Sequence, residues 1–487
     1  MMDLFLPTSR ELHVALALVV ALPALALGAL GVAMLARRTP SEATIARVVS
    51  WAVGLSTLLS FALAWAWIGL GADAIDVRLG RWFGIDQHEL ALYVLLDGLS
   101  LTMVLVTNVI CFLVARFSIR YLHREEGFAR FFLLLCLFTS GMHILVLAGS
   151  YDLLFAGWEL VGIASILLVA FYWQRGGPVR GAVRTMITYR VADVGLLVAG
   201  VLLHHAAGSG ALAEAFGGDH WTDRAAHLSP AGATTVGLAL LLSVMGKSAQ
   251  FPLGGWLPRA MEGPTPSSAL FYGALSVHAG VYLLLRSAPL LEASPFVSGA
   301  VLVVGAITAV HATIVGRTQS DVKNVLAYAT ITQVGLMLVE IGLHLWTLAL
   351  VHMVAHAFLR LLQLLRTPSA LRDAQEIRAA LATAPEPRPS LLARSLPRHV
   401  LARVYHLALR RFFLDELLER FVIAPVLAAS RALDRVERRW VAALSGWSPR
   451  DADTPGADSP DAGPPETDAI EPGSRPRHAS VGPGRRS

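Results

Sequence analysis

The chain has 487 residues, 55% of them hydrophobic and 15% charged, with a formal net charge of +5 and a mean hydropathy of +0.58. That balance excludes an ordinary soluble domain, and because the basic residues fall in short loops between apolar runs rather than along one face, it excludes a nucleic-acid partner too. Cys111 and Cys136 lie inside apolar runs without CxxC spacing and read as small buried residues, which leaves neither a disulfide framework nor a thiolate metal site.

A bilayer core of roughly 30 Å takes about 20 apolar residues per helix. Runs of that kind lie at about 12–36, 48–71, 90–115, 130–149, 151–173, 186–207, 232–252, 267–287, 296–316, 323–343 and 345–366, which predicts an all-α polytopic membrane protein of about eleven helices. The first run is too long, and the MMDLFLPTSRE before it too near neutral, for a cleaved signal peptide; it is expected to stay as a membrane helix. Arg37, Arg38 and Arg47 follow the first span, Arg116, Arg120 and Arg124 the third, Arg175, Arg180 and Arg184 the fifth, Arg259 the seventh, Arg317 and Lys323 the ninth, and Arg366 and Arg372 the last. The intervening loops are poorer in basic residues. Charge bias therefore predicts an outside N-terminus and a cytoplasmic C-terminal region in a bacterial-type inner (plasma) membrane.

The transmembrane domain is expected over residues 1–366, followed by a cytoplasmic linker, 367–398. Residues 399–446 carry apolar residues at helical spacing among many arginines, which predicts an amphipathic helix on a membrane surface or on a cytoplasmic partner. From 447 to 487 Pro, Gly, Asp and Ser dominate and cannot bury a core, so a disordered tail is expected.

Ionisable residues stand where lipid should be: Asp97, Glu159, Arg190, Asp193, Lys247, His278, His311, Glu340, His352, His356 and Arg360. Charged groups at bilayer depth are costly and mark functional sites. Carboxylates, imidazoles and a lysine linked by water are the components of a proton relay. Glu159, in FAGWELVGIAS, reads as a proton-carrying carboxylate, against a carboxylate held by the helix dipole. Lys247, in VMGKSAQFPL, reads as a cation that burial and an approaching carboxylate switch, against a lysine snorkelling to the interface. His352, His356 and Arg360 recur every fourth residue and share one helix face. HxxxH is also a zinc spacing, but no third ligand stands nearby and Arg360 repels a cation, so no metal is expected. Prolines 252, 258, 264 and 266, with several glycines, bar one continuous helix through FPLGGWLPRAMEGPTPSSAL. Interrupted helices of this kind line ion paths in many transporters.

DGLSLTMVLVTN (97–108), YDLLFAGWELVGIASILLVAFYW (151–173), TYRVADVGLL (188–197), MGKSAQFPLGGWLPRAMEGPTPSSAL (245–270), SDVKNVLAYATITQVGLML (320–338) and HMVAHAFLR (352–360) resemble, in this order, the motifs of the antiporter-like proton-translocating subunits of respiratory complex I, subunit L above all. The same family takes in the large subunits of Mrp-type cation/proton antiporters and the membrane partner in certain bacterial inorganic-carbon uptake systems. A weaker echo of subunit L lies at 410–431. The resemblance implies the antiporter-like fold and pairs Glu159 with Lys247 as the gate for proton uptake. It assigns Arg190 and Asp193 to the sixth-helix motif, Asp321 and Lys323 to the connection into the next span, and His352 and His356 to a central polar axis. Arg360 stands where the family commonly carries lysine, and an arginine polarises water but does not relay a proton. Tyr272 stands where the family usually has histidine, with His278 displaced along the chain; and no hydrophobic span follows Arg366, so the family's later broken helix has no counterpart.

The resemblance implies a proton-translocating membrane subunit of an NADH-quinone oxidoreductase-type complex, among other membrane subunits and in lipid, with H⁺ against Na⁺ left open. No flavin, nucleotide or iron-sulfur motif is present, so no cofactor is expected and redox chemistry falls to partners. The alternatives are the proton-conducting membrane half of an inorganic-carbon (bicarbonate/CO2) uptake complex and a non-conducting membrane scaffold.

Overall fold

The computed structural model describes residues 9–71, 74–85, 88–207, 211–216, 221, 225–226, 228–367 and 397–445. The tail expected at 447–487 and nearly all of the linker expected at 367–398 lie outside these residues. Among the described residues eleven helices are long and apolar enough to cross a membrane. They are α1 (Ser9–Leu35), α2 (Glu42–Gly69), α3 (Gly98–Tyr121), α4 (Phe128–Val146), α5 (Tyr151–Val169), α6 (Gly176–Ala207), α7 (Pro230–Lys247), α8 (Thr265–Arg286), α9 (Pro295–Gly316), α10 (Val322–Gly342) and α11 (Trp346–Leu365). The chain is a multi-pass membrane protein.

Side-chain caps in the loops decide where several helices begin. Ser41, Ser150, Ser229, Ser294 and Asp321 each accept a hydrogen bond from a backbone N–H of the first turn of α2, α5, α7, α9 and α10. Asp97 and Ser100 cap α3 reciprocally, which satisfies amides the helix itself leaves unpaired. That cap moves the third span from the expected 90–115 to Gly98–Tyr121. The apolar run before it is strand β2 (His88–Leu96), antiparallel to β1 (Ile75–Ile85) with Ile75 opposite Leu96 and Val77 opposite Val94. The sixth helix begins ten residues earlier than its apolar core suggests, so Arg180, Arg184 and Arg190 all project from helix.

Every residue of α8 is buried, which places this span at the centre of the bundle. Its first half is a π-helical stretch, Ser268–Ala274, followed by a break at Leu275 (φ −127°, ψ −60°) and a tight turn at Ser276–His278 before regular helix resumes. The proline- and glycine-rich segment before it also lacks a continuous helix, with short turns at Leu253–Gly255, Trp256–Arg259 and Ala260–Glu262. Freed backbone groups survive at membrane depth only inside protein, and this centre provides that.

α9 and α10 cross at glycine. A side chain on Gly305 would begin 2.5 Å from the Gly335 carbonyl oxygen and 2.8 Å from Leu338 Cβ, so the two backbones touch as small residues allow. Gly305→Leu is expected to force them apart and to destabilise the protein by about 1–3 kcal/mol. Thermal unfolding of the detergent-purified chain measures this, and an unchanged melting temperature would contradict the crossing.

The amphipathic region expected as one surface helix over 399–446 is two helices with an elbow. α12 (Arg398–Leu409) ends at a turn where Arg411, Phe412 and Phe413 take successive positive φ of 49°, 54° and 59°; helix resumes at Leu414–Leu418, passes through a π-helical stretch at Glu419–Ile423 and continues as α13 (Ala424–Ser445). Side chains of L-residues disfavour that conformation, and ion pairs hold it. Asp415 accepts from Arg411 at 2.8 Å and from Arg259 of the broken segment at 3.0 Å, while Arg184 of α6 donates to the Asp415 carbonyl and to Glu419. The chain divides into two compact units, Met1–Val426 and Leu427–Ser487. The second holds most of α13, an exposed helix carrying an Asp434–Arg438 ion pair of 3.1 Å.

Candidate functional site

Lys247 is the last residue of α7, whose continuation is stopped by the Phe251–Pro252 step and by Ala249 at φ 53°. A helix C-terminus favours a cation. The side chain is completely buried. Its Nζ donates to the Trp158 carbonyl at 2.9 Å and lies 4.5 Å from the Tyr189 ring centroid and 5.0 Å from that of Trp158. A carbonyl and two aromatic faces stabilise an ammonium through dipole and quadrupole. Gly162 makes the room: a Cβ there would stand 3.0 Å from Lys247 Nζ and 3.7 Å from Arg190 Nη2.

Glu159 does not touch Lys247. Its Oε2 is ion-paired with Arg190, whose Nη2 also reaches Asp193 Oδ2 at 3.4 Å, and Asp193 Oδ1 accepts from Trp158 Nε1 at 2.6 Å. The expected Glu159–Lys247 pair is thus replaced by a four-membered group in which Arg190 is shared. The reason is spacing: Arg190 and Asp193, one turn apart on α6, present a fork and a carboxylate on the same face. Two cations and two carboxylates balance, and a fixed guanidinium competes with the lysine for Glu159.

A second group lies where α8 meets α11. His278 Nδ1 is 2.8 Å from the Ala274 carbonyl, so it donates, and its Nε2 stands 2.9 Å from His356 Nδ1. With both rings neutral the polarity follows: His278 Nε2 accepts, His356 Nδ1 donates, and His356 Nε2 faces Arg360 Nη2 at 3.4 Å. The break in α8 turns His278 toward His356, since the turn at Ser276–His278 replaces regular helix there. One helical turn from His356, His352 sits between Glu340 Oε1 at 2.8 Å and Gln333 Oε1 at 2.9 Å. Two oxygen acceptors suit an imidazolium; a neutral ring would require the Gln333 amide turned over.

The chain itself connects the two groups, for Ser248, next to Lys247, donates to the carbonyl of Val277, next to His278, at 2.6 Å. Glu159 Oε1, Gln250 Oε1 and Ser268 Oγ are buried with no protein partner, and water is what ordinarily satisfies such atoms. Asp321 and Lys323 lie apart from both groups: Asp321 caps α10, and Lys323 Nζ donates to the carbonyls of Gly263 and Met261 at 3.1 and 3.3 Å.

Two family models match this chain, one described as "NADH:quinone oxidoreductase/Mrp antiporter, TM" over residues 148–383 and one as "NADH-Ubiquinone oxidoreductase (complex I), chain 5 N-terminus" over 82–132. The chain belongs to the antiporter-like subunit family of complex I and the Mrp antiporters. Among its relatives, NADH-ubiquinone oxidoreductase chain 5 of Cryphonectria parasitica is 37% identical over 68% of this chain and 50% of its own. NADH-quinone oxidoreductase subunit L of Neisseria meningitidis serogroup B is 33% identical over 66% and 48%. The chain spans about half the length of the curated relatives it matches. The Mrp complex of Dietzia sp. DQ12-45-1b contains a chain with a TM-score of 0.59 and 28% identity, over 72% of this chain and 36% of that one. A chain of an archaeal membrane-bound sulfane sulfur reductase shares the fold, with a TM-score of 0.60 over 84% of this chain and 94% of its own at 20% identity.

Both groups lie within the longer match. What sequence reasoning passed over in this family member are the aromatic walls, Trp158 and Tyr189, and Gln333, which faces the ring of His352. One signal was in plain view: of 40 basic residues only Lys247 and Lys323 are lysines. A chain that uses arginine everywhere else keeps its two releasable cations at the two ends of the broken segment.

Proposed function

We propose that this chain is a proton-translocating membrane subunit of a complex I-type assembly, with its N-terminus outside, its C-terminal region in the cytoplasm and no redox centre of its own. The observation that carries the reading is Lys247, buried beside a carboxylate that a permanent cation already holds. Arginine keeps its proton at any relevant pH, so Arg190 sets the field while Lys247 gains and loses charge. When Arg190 leans to Asp193, Glu159 is free to pair with Lys247; when it holds Glu159, the lysine lacks that partner. The His278–His356 pair is the next group along the chain; its hydrogen bond runs from His356 to His278 as it stands, so passing a proton onward to His356 requires both rings to exchange tautomers first. Protons suit these groups better than Na⁺ does, because ring nitrogens and the guanidinium of Arg360 offer a hard cation little.

Partner membrane subunits follow from the same charges. Arg190 stands in mid-helix with its side chain 41% exposed, a position that lipid penalises and a neighbouring subunit or its water relieves. The test is proton pumping by the purified complex in proteoliposomes. His278→Leu is expected to slow it at least about tenfold, since a positioned proton carrier contributes that much or more, with assembly unchanged. Full pumping by that variant would remove the histidine pair from the path.

A further inference from the structure

Outside the polar axis, α2 and α3 enclose a lipid-facing groove of about 580 Å³ whose lining includes Arg47, Ser50, Trp51, Gly54, Phe112 and Arg116. We infer that this groove is a binding site for an anionic phospholipid, its phosphate held by Arg47 and Arg116 and an acyl chain laid along α2.

The geometry has three parts. First, the two arginines share a depth. Arg47 is five residues after the start of α2 and Arg116 five before the end of α3, which at 1.5 Å per residue puts both about 7–8 Å inside the helix ends, at headgroup level. Second, their charge is unanswered. No carboxylate among the described residues forms an ion pair with either, and the nearby acid at the start of α2, Glu42, is already engaged by His123 Nδ1 at 2.8 Å and by the Arg124 amide at 3.0 Å. The buried Ser50 hydroxyl, one turn below Arg47, also has no protein partner. Third, the groove continues as apolar surface. Trp51, Leu55 and Leu58 are exposed along α2, and Gly54 opens the floor, where a Cβ would stand 3.2 Å from the Phe112 ring. A paired guanidinium fork matches a phosphate, and basic pockets between membrane helices hold anionic headgroups in this way. A partner helix would need two acidic side chains at one depth in a membrane to answer the same charges, which makes lipid the better fit.

The test is native mass spectrometry of the full chain, titrated in detergent with phosphatidylglycerol, phosphatidylcholine or glycerol phosphate. Phosphatidylglycerol is expected to bind preferentially. The Arg47→Gln/Arg116→Gln variant should bind it about 25-fold more weakly, each basic residue near an anionic lipid contributing about a factor of five. Gly54→Leu, which fills the floor without altering charge, should weaken it also. Unaltered melting temperatures would show that both exposed arginines are dispensable for folding. Equal binding of phosphatidylcholine, full retention by the double variant, competition by glycerol phosphate as effective as the lipid, or a partner helix found seated in the groove of the intact complex would each overturn the assignment.

Discussion

Lys247→Met is expected to abolish proton pumping by the purified complex, a loss of at least about a hundredfold, while the complex assembles as before. Methionine keeps the unbranched stem against Trp158 and Tyr189 and removes only the charge. Inserting an uncharged α7 is easier than inserting a charged one, and the Trp158 carbonyl, in the middle of α5, keeps its place in the helix ladder and loses only the bond from the lysine, worth about 1 kcal/mol, too little to unfold a protein of this size. What changes is the balance of the group: Glu159 and Asp193 then face Arg190 alone, and the guanidinium has no competitor to release either carboxylate. Lys247→Arg separates charge from proton transfer. It restores the cation but not one that deprotonates, so pumping should stay lost. A Lys247→Arg complex that pumps at the normal rate in a pH-dye proteoliposome assay would show that the residue acts as a fixed charge, and the switching role would fall.

The spans and the buried charges were legible in the sequence because lipid leaves so few alternatives: about 20 apolar residues make a helix, and an ionisable group among them stands out. What sequence could not supply was partnership. Glu159 and Lys247 were paired by resemblance, whereas Arg190, spaced from Asp193 by one helical turn, takes Glu159 in the structure. The β-hairpin was hidden because ALYVLL joins directly to the apolar residues of α3, and hydropathy cannot divide a strand from a helix within one run; only the Asp97/Ser100 cap marks the boundary. The break in α8 was masked for a related reason. Its residues from Ala269 to Leu275 remain apolar apart from the Tyr272 hydroxyl, and the composition records nothing of the π-helical stretch that turns His278 toward His356. The elbow at Arg411–Phe413 depends on Arg259 and Arg184, more than 150 positions away in the chain, so its amphipathic pattern suggested one straight helix.

Another of these long-range partnerships gives the largest expected loss of stability. Asp97 and Arg286 are 189 residues apart, both almost wholly buried, and joined by two bonds, Nη1 to Oδ2 at 2.5 Å and Nη2 to Oδ1 at 3.0 Å. The same guanidinium donates to Tyr282 Oη, which in turn donates to the Val146 carbonyl at 2.6 Å. Asp97 therefore both starts α3 and answers the charge at the end of α8. Asp97→Ala removes the cap, worth about 1 kcal/mol, and strands a buried guanidinium, worth about 3–5 kcal/mol. The expected result is a sharp fall in the melting temperature of the detergent-purified chain. Asp97→Asn combined with Arg286→Met is the informative companion, since asparagine retains the cap and the neutral pair removes the stranded charge. That double variant should be clearly more stable than Asp97→Asn alone, with a coupling energy above about 2 kcal/mol in a double-mutant cycle. If the two substitutions simply add, the ion pair contributes nothing that its separate parts do not, and α3 and α8 are held together by their other contacts, the Tyr121–Thr265 hydrogen bond and apolar packing among them.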